Sequence, residues 1–121
     1  MALYRVHMTL ARNEDFPNGS RDHGYEMVVP LDKEDMLDAE DWKVHSKECS
    51  VRRFWGDDEV QLGLLRHIGR GWTIDFDLST PSGDEPFFKL DRHKITPGEY
   101  LSVKDQDGEM RTFHIETVKP V

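Results

Sequence analysis

The clearest pattern in the chain lies in residues 60–78. Trp72, Ile74, Phe76 and Leu78 alternate with Thr73, Asp75 and Asp77. That is the period-2 signature of a half-buried strand. Upstream, Val60, Leu62, Leu64 and Ile68 are read as the inward face of a second arm. Gly69-Arg70-Gly71 joins the two arms, and its glycines supply the positive φ that a tight connection needs. The stretch predicts a β-hairpin facing a core, with Trp72, Ile74 and Phe76 buried. If Ile68 and Trp72 flank a three-residue loop, His67 lies on the outward face, opposite Thr73 and diagonal to Asp75.

Further runs surround this hairpin. In residues 3–10, Tyr4, Val6, Met8 and Leu10 share one face and Arg5, His7 and Thr9 the other. Phe16-Pro17-Asn18-Gly19-Ser20 reads as a turn, because proline presets φ and Asn-Gly tolerates the return. Residues 25–31 predict a strand that Pro30 places at an edge or ends. Residues 51–55 predict another strand, 87–90 a short one, and 100–104 with 110–118 a closing hairpin around Asp107-Gly108. Phe113 and Ile115 share a face while Val118 falls out of phase, so a bulge is expected near Glu116 or Thr117.

Residues 32–47 break the alternation and carry one short helix. Asp38 is placed to cap it, with Glu40 and Asp41 in its first turn and Lys43 and Lys47 towards its end. These signs suit the helix dipole. Trp42 is expected to pack this helix, with Val44 beside it. The helix should stop near Ser46, short of Cys49. Residues 79–86, rich in Ser, Pro, Gly and acid, read as a loop. The whole chain, residues 1–121, is read as one domain. Seven to eight short antiparallel strands and one short helix predict a mainly β fold, a small β-barrel or a two-sheet sandwich. The barrel is preferred because it hides its edges.

Charge narrows the function classes. Charged residues make up 33% of the chain and the formal net charge is −8. Such a surface repels phosphate backbones and anionic bilayers, so neither nucleic acid nor membrane is expected as the partner. No apolar run approaches the roughly 20 residues of a membrane span, and the first residues do not read as a signal peptide. A single cysteine, Cys49, excludes an internal disulfide. Together these features predict a cytoplasmic location.

The sequence Phe16-Pro17-x-Gly19-Ser20, then His23-Gly24-Tyr25-Glu26, Val51-Arg52-Arg53-Phe54-Trp55 and Pro97-Gly98-Glu99-Tyr100 with Asp107-Gly108 resembles a family of small uncharacterised bacterial proteins. The similarity spans nearly the whole chain. It implies a bacterial cytoplasmic protein and brings no activity, cofactor or site.

Candidate chemistry is sparse. On a strand, Arg53 shares a face with Trp55 and Arg52 does not. An arginine beside an indole can hold an anion or stack on an aromatic ligand, although arginines in so acidic a chain ordinarily pair with carboxylates. His67 near Asp75 would make an acid–base pair, yet no nucleophile accompanies it. Of the six histidines, His114 lies two residues from Glu116, with His7 and His93 as distant companions. No spacing matches a known metal site, so neither metal nor cofactor is expected. His45 and Cys49 would form a Cys–His pair only on a longer helix. Gly69-Arg70-Gly71 lacks the Lys-Ser/Thr and helix of a phosphate loop. The function expected is therefore a non-enzymatic module binding a protein partner or a small anionic or aromatic ligand. The candidate residues are Arg53, Trp55, His67 and Asp75. A small acid–base enzyme on the hairpin face is the alternative.

Overall fold

The alternating runs form strands over their described residues in the computed structural model, which describes residues 2–14, 16–57, 60–68, 71–75, 87–88, 94–104 and 110–121. The strands are β1 (Ala2–Leu10), β2 (Ser20–Leu31), β3 (Ser50–Trp55), β4 (Gln61–Ile68), β5 (Gly71–Asp75), β6 (Phe87–Phe88), β7 (Tyr100–Lys104) and β8 (Met110–Pro120). Helix α1 (Ala39–His45) and a 3-10 turn (Ser46–Glu48) lie between β2 and β3. Every strand pairs antiparallel with the next in sequence, and β8 pairs with β1, closing a barrel. The fold is thus mainly antiparallel β with one short helix. Among the described residues each strand has a paired neighbour on both sides, although the β2–β3 ladder covers only His23 to Met27 of β2.

Alternation fills the barrel interior. Val6, Met8, Tyr25, Ile74, Phe113 and Ile115 are fully buried. The seam between β1 and β8 keeps its inward residues in phase through a bulge. Val6 pairs with Val118 and His7 with Thr117, then Met8 pairs with Ile115, leaving Glu116 as the extra residue. That is the expected irregularity, now fixed at Glu116. Pro30 is tolerated because the β2–β3 register runs only from His23 to Met27 on β2, so Pro30 interrupts no ladder on that side.

The central hairpin forms, but in a different register. Ile68 pairs with Gly71, His67 with Trp72, Arg66 with Thr73 and Leu65 with Ile74. The connection is therefore one residue shorter than the three expected. A one-residue slip sends every side chain of an arm to the other face. Leu65 is consequently the buried residue of β4, while Leu62 is 68% exposed. Trp72 and Ile74 are buried as expected; Phe76, Asp77 and Leu78 lie outside the described residues, as do His93 and the Asp107-Gly108 turn.

Asp38 caps α1, its Oδ1 accepting from the backbone N–H of Glu40 and Asp41 at 3.1 and 3.2 Å. The helix closes one end of the barrel. Trp42 donates its indole N–H to the Leu65 carbonyl at 2.9 Å and meets Trp72 edge-on at 6.1 Å. Val44, expected to pack, is instead 73% exposed. Ala39 and Trp42 pack this short helix against the core, and Val44 points away from it. No helix among the described residues is long and apolar enough to cross a membrane.

Candidate functional site at the barrel mouth

The end of the barrel away from α1 is built by the last residues of β3 and β7 and the first of β2, β4 and β8. Arg53 pairs with Tyr25, which is fully buried, and Trp55 pairs with His23. Directly paired residues share a face, so Arg53 and Trp55 point inward at the rim of the core. Arg111 pairs with Val103, also fully buried, and so points inward as well.

These three side chains meet. The Arg53 guanidinium lies 4.4 Å from the centre of the Trp55 indole ring, and that of Arg111 lies 5.4 Å from it. Both distances fall within cation–π range. Arg53 also donates from Nη1 to Gln61 Oε1 at 3.5 Å. Phe113 lies beneath the indole at 6.3 Å, and His23 meets it edge-on at 4.6 Å. His23 is itself fixed by Ser20 Oγ at 2.7 Å from Nδ1 and by the Phe16 ring at 4.6 Å. Arg53, Trp55 and Arg111 are each half-buried, so solvent reaches them. The Arg53–Trp55 neighbour relation was legible in the sequence. Arg111 was overlooked there, although it stands two residues before Phe113 and so shares its inward parity.

His67 and Asp75 are not brought together. His67 follows Trp72 to the inward face and packs on its ring at 4.5 Å, with Trp42 at 6.1 Å. It belongs to the floor of the barrel under α1. Asp75 lies on the outward face, 8% exposed, and accepts from Arg66 Nη1 at 3.2 Å. The shorter hairpin connection is the cause: it moved His67 across the sheet and left Asp75 in place. Among the described residues, His67 and Asp75 therefore form no acid–base pair.

The remaining candidates also resolve. His45 lies 3.8 Å from Asp41 and 3.1 Å from Glu48 through its two ring nitrogens, so carboxylates hold it. Cys49 is fully buried, and burial, reinforced by Glu48 and Asp41, pushes its thiol up to about 11. Such a thiol is no nucleophile at neutral pH. His7 stacks on Phe54 at 5.4 Å and meets Glu26 at 3.4 Å. Phe54 in turn covers Gly24, where an added Cβ would sit 3.0 Å from its ring and collide with the Met8 carbonyl oxygen. His114 Nδ1 meets Glu116 at 3.0 Å. Among the described residues, no three metal-binding side chains converge.

Compared with protein families, curated proteins and solved structures, the chain matches none of them. The functional reading therefore rests on the mouth itself.

Proposed function

We propose that this protein is a non-enzymatic binding module whose barrel mouth takes a small ligand joining an aromatic body to a carboxylate or phosphate. A protein partner presenting the same chemistry would use the same surface. The observation that carries the reading is the convergence of two guanidinium groups on one half-buried indole. Guanidinium forks hold oxyanions by paired hydrogen bonds, and the ring offers a flat apolar surface beside them. In a chain of net charge −8, two inward arginines also make a local attractor for anions. The same net charge disfavours nucleic acid. The buried lone thiol of Cys49 and the resemblance to bacterial proteins support a bacterial cytoplasmic setting.

Isothermal titration with phenyl phosphate and benzoate, against inorganic phosphate and acetate as controls, tests the reading. The aromatic anions should bind several-fold more tightly than the controls, and Arg111→Ala should weaken them by about tenfold, a loss near 1.4 kcal/mol. Equal affinity for aromatic and plain anions, or binding untouched by Arg111→Ala, would reject it.

A further inference from the structure

A second polar constellation lies on the outside of the barrel, along the seam where β1 meets β8. A groove of about 640 Å³ runs there, lined among others by Arg12, Ser20, Arg21, Tyr100, His114 and Glu116. That volume is within the range of small-molecule sites.

The β8 bulge sets its chemistry. Glu116 is the unpaired extra residue, and bulges re-aim side chains in this way. Its Oε1 accepts from the Thr9 hydroxyl at 2.8 Å and meets His114 Nδ1 at 3.0 Å. Thr9 is 6% exposed, so the carboxylate is anchored from inside the wall. These two hydrogen bonds, Thr9 first and His114 second, hold Glu116 below the usual carboxylate range. An ionised Glu116 can only accept, so the neutral imidazole carries its proton on Nδ1. Nε2 is then left as an acceptor. The Tyr100 ring packs against the imidazole at 5.1 Å and limits its rotation. Arg12 and Arg21 line the same groove, and the Arg21 charge adds to the two hydrogen bonds in holding the Glu116 carboxylate down.

We infer that this groove binds a small hydroxylated oxyanion, with its phosphate or carboxylate on Arg12 and Arg21 and its hydroxyl donating to His114 Nε2. Two cations supply charge recognition. The oriented imidazole supplies a single acceptor that distinguishes a hydroxyl-bearing ligand from a bare anion. The groove lies on the outer face of the sheet and the mouth on the inner one, with Ser20 common to both, lining the groove and fixing His23.

Glycerol 3-phosphate is a suitable probe, with inorganic phosphate as the comparator, followed by NMR of the His114 ring and the backbone amides of β1 and β8. Glycerol 3-phosphate should shift those signals saturably below about 10 mM and bind several-fold more tightly than phosphate. The Arg12→Ala/Arg21→Ala double variant should weaken both by about tenfold. His114→Phe should remove the preference and leave phosphate binding intact, with an unchanged melting point showing that the fold is kept. Arg111→Ala should alter neither, which separates this site from the mouth. The absence of saturable shifts at the seam, affinity unchanged in the double arginine variant, or a preference retained by His114→Phe would each overturn the inference.

Discussion

At the residue scale, the site depends on which way single side chains point. Arg53 and Trp55 share a face because they stand two apart on a strand, and that much was visible in the sequence. That the face is inward was not visible, because a run of Val51-Arg52-Arg53-Phe54-Trp55 offers apolar residues to both sides. Arg52 illustrates the other side: it pairs with Glu26 across the ladder and lies 5.6 Å from the Phe54 ring on the barrel exterior. Asp75 provides a test of a pair the sequence misjudged. Arg66→Ala strands a nearly buried carboxylate and should destabilise the fold by about 1–3 kcal/mol in urea unfolding. Arg66→Lys should recover part of that loss. Cys49 gives a pH prediction. Its folded-state pKa is raised from 9.0 to about 11, so its contribution to stability is full below pH 9.0 and is lost as the pH rises through about 11. A thiol reagent at pH 8 should accordingly leave the native protein unlabelled and label one site after denaturation.

At the element scale, alternation identified the strands because one face of each is packed and the other solvated. The cap on α1 was equally legible: Asp38 followed by two acids is a local signal that needs no tertiary partner. Asp38→Ala should cost about 1 kcal/mol, measurable as a lowered melting point. The hairpin register was not legible, since Gly69 and Gly71 permit either loop length and only the pairing of Leu65 with Ile74 decides it. That pairing is open to test. Leu65→Ala and Ile74→Ala should each cost on the order of 2–5 kcal/mol, whereas Leu62→Ala should change stability by less than about 0.5 kcal/mol. A large loss at Leu62 with none at Leu65 would restore the longer loop.

At the scale of the whole molecule, closure of β8 onto β1 creates what no local pattern could announce. It brings Thr9 from the start of the chain against Glu116 near its end, and it carries Arg111 across to the indole of β3. The result is a barrel floored at one end by Trp42, His67 and Trp72 and lined at the other by cations. With a net charge of −8 around those cations, anion binding should respond to the local field and weaken as salt rises over a Debye length of about 10 Å at 0.1 M. The most direct measurement of the central claim is the indole N–H resonance of Trp55, assigned with Trp55→Phe and followed during titration with phenyl phosphate in the parent protein and in Arg53→Lys. Lysine keeps the positive charge and loses the planar fork. The account predicts a saturable shift in the parent, and in Arg53→Lys an equal melting point with affinity reduced by about tenfold. A Trp55 resonance that stays in place at saturating ligand, or full affinity in Arg53→Lys, would contradict it.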